Sequence, residues 1–248
     1  MIIPTLHKQL VALDRVLHRE LKLKSQAPDW TVAKALNSLP VVASEFGDLC
    51  REYPILFVRA GTDDKGQTQV APIVAFGLSA QENLFLEGPR WRASYMPAAL
   101  MAYPFSIARV DNQAQRALCI DRAWPGFSNT EGDALFNPDG SLGAHLQAMQ
   151  KQLDQFDFEA QRTSAVCHFL VERELLREMR FDAELPGGEK LRVDGFLAVD
   201  QSKFGALSDA DVLAMHRNGM LGLIHAHFIS MANLRKLVQW RVERTAAA

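Results

Sequence analysis

The chain has 248 residues, 48% of them hydrophobic and 23% charged, with a formal net charge of −2. This is an ordinary globular composition, long enough to bury a substantial core. Without a basic excess, it gives no electrostatic reason to expect a nucleic-acid partner.

In chain order, Leu6, Leu10, Leu13 and Leu17 fall at helical spacing and predict an amphipathic helix over 5–24, stopped before Pro28. His7, Lys8, Asp14 and Arg15 interrupt this segment. It therefore reads as neither a signal peptide nor a membrane span, and we expect a cytoplasmic protein with no membrane insertion. The run LHRELKLK (17–24) alternates acid and base like a solvated helix face. A short β-like run, LPVVASEF, lies around Val41. YPILFVRAG then reads as a strand, TDDKGQT as a turn and QVAPIVAFGL as a returning strand. Pro54 suits the start of a strand; Pro72, inside an apolar run, predicts an edge strand or a bulge.

The pattern recurs fifty residues on. YPFSIARV is strand-like, DNQAQ is its turn and RALCIDRAW returns. ENLFLEG closes the first copy and DALFNPDG the second. A helix-like stretch follows each, MPAALMA in one and SLGAHLQAMQKQLDQF in the other. We read this as an internal duplication of a hairpin unit, over about 53–86 and 103–137. The chain is then helix-rich to about Arg180, with Leu146, Met149 and Leu153 on one face, before Pro186, Gly187 and Gly188 break it. GFLAVD is a strand. Ser208 opens a helix with Asp211 three residues on, Gly219 ends it, and 221–244 reads as a final long helix. Its stripe of Leu221, Ile224, Phe228, Met231 and Leu234 must be covered, by the sheet or by the same helix of a second copy in a homodimer. The expected fold is therefore α+β. An antiparallel sheet built from two repeated hairpin units packs with long C-terminal helices in one composite domain over 1–248, helical over 141–244.

Few residues point to chemistry. The cysteines Cys50, Cys119 and Cys167 are far apart and form no C-x-x-C pair, which fits reduced, partly buried thiols. His225 and His227 would share a metal on a strand, but on a helix residues two apart diverge by about 200°. We expect one buried and one surface histidine there, and assign no metal site. Asp63 and Asp64 sit in a predicted turn, where acids bond locally. There is no G-x-S-x-G elbow, no phosphate loop and no G-x-G-x-x-G, so no catalytic residue and no cofactor is assigned. The most informative stretch interleaves Trp91, Tyr95 and Tyr103 with Arg90 and Arg92. Such residues suit a partner-binding surface. The plainer reading is that Trp91 and Tyr95 fill core between the two repeat units.

These same stretches, with LSAQENLFLEGPRWRASYMPAALMAYPF, CIDRAW, LFNPDGSLGAHLQ and the segment from GFLAVD to NLRKL, resemble the SapC family of proteobacterial proteins. The resemblance runs from Tyr53 to about Leu237. Members are named from a gene beside surface-layer secretion genes, and others lie near TonB-dependent receptors, cupin-like and halogenase-like proteins. Where this chain has Met101 and Ala102, relatives often carry basic residues, and where it has His225 they often carry Tyr. The resemblance implies a surface-layer, secretion or uptake context and no reaction; with the missing catalytic signatures and the aromatic–arginine stretch, we expect a non-enzymatic binding or accessory module of such a system, holding a protein or peptide partner. The alternative it leaves open is an enzyme or enzyme partner acting on peptides or amino acids together with oxygenase- or halogenase-like proteins.

Overall fold

A computed structural model describes residues 2–25, 29–63, 65–109, 116–185, 188 and 190–246. The elements run in this order: β1 (Leu10–Ala12), β2 (Lys22–Leu23), β3 (Ser38–Pro40), α1 (Phe46–Leu49), β4 (Ile55–Thr62), β5 (Thr68–Ala75), β6 (Leu86–Glu87), β7 (Arg90–Trp91) and α2 (Ala98–Met101). They continue with β8 (Phe105–Arg109), β9 (Arg116–Asp121), β10 (Phe127–Ser128), β11 (Asp133–Ala134), α3 (Ala144–Glu172), β12 (Leu176–Glu184) and β13 (Lys190–Val199). Four helices close the chain: α4 (Gln201–Gly205), α5 (Asp209–Arg217), α6 (Met220–Ser230) and α7 (Asn233–Ala246). The fold is mixed α+β with antiparallel sheets. Among the described residues no helix is long and apolar enough to cross a membrane. The chain divides into two compact units. The first is Met1–Ala33, Gly88–Arg90 and Ala98–Phe158; the second is Lys34–Glu87, Trp91–Pro97 and Glu159–Ala248.

In the first unit, strands in the order β1-β9-β8 form one sheet and β10-β2-β11 another. Phe105, Ile120, Leu135, Phe136, Leu146 and Leu153 make its core. The helix expected over 5–24 does not form. Leu10–Ala12 instead pairs with Cys119–Asp121, and Val16 and Leu17 are exposed at 78% and 83%. The reason lies in two aspartates. Asp121 is buried, and its carboxylate accepts the backbone N–H groups of Lys8 at 2.9 Å and Gln9 at 2.8 Å. Asp14 Oδ1 accepts those of Val16 and Leu17, closing a local turn. Side-chain acceptors thus take the donors a helix would need. Burial pushes the Asp121 pKa up. The N–H groups of Lys8, Gln9 and Ala123 and the Tyr103 hydroxyl outweigh it and hold the carboxyl below its ordinary range.

The second unit carries a five-stranded sheet in the order β12-β13-β4-β5-β3. Pro72 lies not on an edge but in the inner strand β5, opposite Phe57. Its carbonyl accepts from Val41 N, so its missing N–H faces the side where β3 ends at Pro40, and no ladder bond is lost. The helix expected to run on toward Arg180 stops at Glu172. Glu174 adopts a left-handed φ of 49°, and Leu175 N–H returns to Leu170 C=O. From Met179 on, burial alternates along β12, which is strand periodicity. Gly195, at φ 81°, sits where β13 carries one extra residue opposite β12, a bulge that calls for glycine. The final helix is broken after Ser230 into α6 and α7. Ser208 caps α5 by accepting from Asp211 N–H, and Gly219, at φ 80°, separates α5 from α6.

The two Tyr-Pro hairpins share a layout. Each follows a short helix, α1 or α2. Each proline carbonyl accepts from the end of its second strand, Ala75 N or Asp121 N, and an upstream strand, β3 or β1, pairs with that second strand. They differ in that Tyr103–Pro104 is a cis peptide, β8 is shorter than β4, and the sheet continues past β4 into β13. This is a likeness of layout and does not itself show a duplication. The expected turn 111–115, like Pro28, Asp64, Pro186 and Gly187, lies outside the described residues.

One side chain joins β4 to β13. Among the described residues these strands pair at Leu197–Phe57. Continued by two residues, the register would bring Val199 to Ile55. There His227 of α6 is inserted: its Nε2 accepts from Val199 N–H at 3.1 Å and its Nδ1–H donates to Ile55 C=O at 2.9 Å. Ser230 Oγ accepts from Ile55 N–H at 3.0 Å and donates to His227 C=O. Burial lowers the His227 pKa to about 4, against the smaller opposing effect of the Ile55 bond. The unfolded chain takes up this proton below about pH 6.5 and the folded chain only near 4. His227 therefore contributes stability that is complete above 6.5 and is lost as pH falls through that window, roughly 3 kcal/mol in all. Buried His7 shifts in the same direction, so the test is comparative. Wild type should melt at a lower temperature at about pH 5 than at 7.5. A His227→Phe protein should be less stable at 7.5 but show a shallower pH dependence; an unchanged slope would assign the titration to another group.

Candidate functional site

The residues singled out from the sequence are divided between the two units. Arg90 and Tyr103 belong to the first unit; Trp91, Arg92 and Tyr95 belong to the second. Tyr103 is buried and its hydroxyl donates to Asp121 at 3.0 Å. Arg90 is exposed. Trp91 is core, 7% exposed, stacked on Phe85 and edge-on to Phe76. Its Nε1–H donates to Tyr53 Oη at 2.8 Å, and the Tyr53 hydroxyl donates in turn to Tyr95 C=O. Arg92 lies over the Trp240 ring, 4.4 Å from its centroid, and pairs with Glu87 at 2.9 Å. The Tyr95 hydroxyl donates to buried Glu45, and Glu52 accepts the N–H groups of Ser94 and Tyr95. Burial first, and then the carboxylate neighbours, raises the pKa of Tyr53 and of Tyr95, so both phenols stay protonated. These groups fasten segment 91–97 to the second unit.

His225 and His227, two residues apart, separate as helical phase requires. His227 is buried with both nitrogens bonded to backbone, and His225 is exposed, edge-on to Phe204. The three cysteines are free and buried, and burial pushes the Cys167 thiol up to about 12.

What the second unit does offer is a groove of about 560 Å³ that the sequence reading missed. This lies within the usual range of ligand-binding clefts. One wall is the second half of α3, with Ala165, Val166 and Phe169; the other is the start of α6, with Met220 and Leu223. Ala43 and Ser44 lie along it as well. Thr163 fixes this part to α3: its buried hydroxyl donates to Glu159 C=O at 2.7 Å and accepts from Ala43 N–H at 2.8 Å. Arg162 and Glu159 line it too and pair at 3.3 Å, the guanidinium exposed and the carboxylate recessed. The signal was present in the sequence. Arg162, Ala165, Val166, Phe169 and Arg173 follow the spacing 0, 3, 4, 7, 11, one face of a helix. It passed unread because the preceding stretch, with Leu146, Met149 and Leu153, supplies a more strongly apolar pattern.

Replacing Trp91 tests the placement of the aromatic stretch in the core. Truncating a buried Trp costs about 3–5 kcal/mol. Trp91→Ala should therefore lower the melting temperature by on the order of ten degrees. Arg90→Ala, at an exposed position, should change it by no more than about two. A Trp91→Ala protein that melts like wild type would return this residue to the surface.

No curated protein and no solved structure matches the chain. The profile of the SapC family matches residues 13–237 of the 248. The match takes in both hairpins, the groove and the His227 joint, and the chain belongs to the SapC family.

Proposed function

We propose that this protein is a non-enzymatic binding module that holds a protein or peptide partner in the α3–α6 groove. The carrying observation is the groove itself, an open cleft walled by two helices and lined mainly by apolar side chains, with the Arg162–Glu159 pair along it. The buried titratable groups support the same reading. His227 spends both nitrogens on backbone, Asp121 accepts four bonds and Glu45 accepts from Tyr95 and Val42. The surface-layer, secretion or TonB-dependent uptake setting is the one the family resemblance implies, and a cytoplasmic location belongs to the same proposal.

The enzyme reading has one observation in its favour. His7 is buried in the first unit, its ring centroid 5.7 Å from that of Tyr103, and its Nε2 has no hydrogen-bond partner. The neighbouring Asp121 is already committed to four donors, which favours an anchoring role.

The test is site-specific photo-crosslinking in the native host. A photoreactive side chain at Val166 should yield a discrete adduct, and the same group at exposed Arg59 should not. Adding Ala165→Glu to the photoreactive chain should remove the adduct. No adduct at Val166, or the same product from Arg59, would overturn the groove as the binding site.

A further inference from the structure

The five-stranded sheet of the second unit has two edges, and they are built differently. At one edge β3 is three residues long and ends at Pro40, which leaves a further strand little to extend. At the other, β12 is nine residues long and holds neither proline nor glycine. It is also regular, because the bulge at Gly195 lies in β13. The outward backbone groups of β12 follow by parity. Val199 gives its N–H to His227, on the side away from β12. Leu176, opposite Val199, therefore also turns its N–H and C=O away from the ladder and off the edge. Every second residue after it does the same: Glu178, Arg180, Asp182 and Glu184. Among the described residues no hydrogen bond reaches the backbone groups of these five residues, and the four charged ones are exposed.

A long bare edge is a template for another strand. The charges on it select which strand fits. Two copies related by a two-fold axis pair antiparallel, each residue opposite the one equally far beyond the axis. An axis between two residues would set outward backbone groups against inward ones, so the axis falls on a residue. At Arg177, Glu178, Arg180 or Asp182 it sets that charge against itself. At Phe181 it sets Glu178 against Glu184, and at Ala183 it sets Asp182 against Glu184. Like charges directly opposite are destabilising. An axis at Met179 avoids every such clash within β12: Glu178 faces Arg180, Leu176 faces Asp182 and Arg177 faces Phe181. The ion pairs already present are compatible with this. Arg180 pairs with Asp182 at 2.6 Å and Glu178 with Arg59 at 2.7 Å, all four side chains at least half exposed. Such pairs hold little energy, and the register rests on avoided repulsion rather than on freeing these groups.

We infer that two copies of this chain join edge to edge through β12, antiparallel about a two-fold axis at Met179, so that their sheets become continuous. The overlap, Leu176 to Asp182, exchanges about eight main-chain hydrogen bonds. None of these residues lines the α3–α6 groove, so this test and the crosslink at Val166 judge different surfaces.

The experiment uses the full chain. Sedimentation over a concentration series should show a monomer–dimer equilibrium. Arg180→Pro removes one outward N–H and leaves the ladder to β13 intact. It should be monomeric and melt within about three degrees of wild type. Glu178→Arg leaves the backbone untouched and sets arginine against Arg180 of the second copy. It should weaken the dimer at least about tenfold. Mild oxidation should link Met179→Cys into a covalent dimer, because the residue on this axis meets its own copy at the closer, non-hydrogen-bonded spacing. Arg177→Cys and Phe181→Cys should link only when the two proteins are mixed. Wild type, with its three cysteines buried, sets the baseline. A wild type that stays monomeric throughout would overturn the inference. A dimer that both Arg180→Pro and Glu178→Arg leave intact would overturn it too, by placing the interface elsewhere. Linking of Arg177→Cys or Phe181→Cys alone, without Met179→Cys, would overturn the register.

Discussion

The second unit depends on an imidazole set into a β-ladder. Where β4 and β13 would next exchange backbone bonds, His227 bridges Ile55 C=O and Val199 N–H. Its ring also packs edge-on against Phe57. Only a neutral imidazole does this, because it presents one donor and one acceptor on opposite sides of a rigid ring. An imidazolium would present two donors, one of them to Val199 N–H. The low pKa is thus the electrostatic side of a geometric demand. With Ser230 serving Ile55 N–H, helix α6 supplies both polar backbone groups of that residue, and so belongs to the sheet as much as it covers it.

Much of this architecture is legible in the sequence because it is local. Asp63 and its neighbours write a turn, Ser208 with Asp211 writes a helix start, and the apolar runs after each Tyr-Pro write strands. The failures are long-range. Leu6 to Leu17 carry helical spacing, but Asp121, more than a hundred residues away, claims the backbone of Lys8 and Gln9. The continuation past Glu172 looked helical until Glu174 turned the chain and β13 offered β12 a partner.

The aromatic stretch carries two readings in the sequence for a related reason. Aromatics interleaved with arginine describe a hot spot and a well-anchored core segment equally well, because both need large apolar faces with polar edges. What separates them is where the indole N–H goes, and Tyr53, thirty-eight residues upstream, receives it. The groove, by contrast, is written in a run of small and medium side chains whose weak pattern a stronger neighbouring face obscured. His225 and His227 show the opposite case: helical phase alone separated them, though it could not say that the buried one completes a sheet.

The Thr163 hydroxyl has one proton, given to Glu159 C=O, so only its lone pairs face Ala43 N–H. This fixes the rotational phase of α3. A helix turned by one residue, about 100°, would carry the hydroxyl out of reach of Ala43. It would also sweep Ala165, Val166 and Phe169 away from the groove. One side chain therefore acts as a key in a slot, setting the angle at which the long helix presents its face.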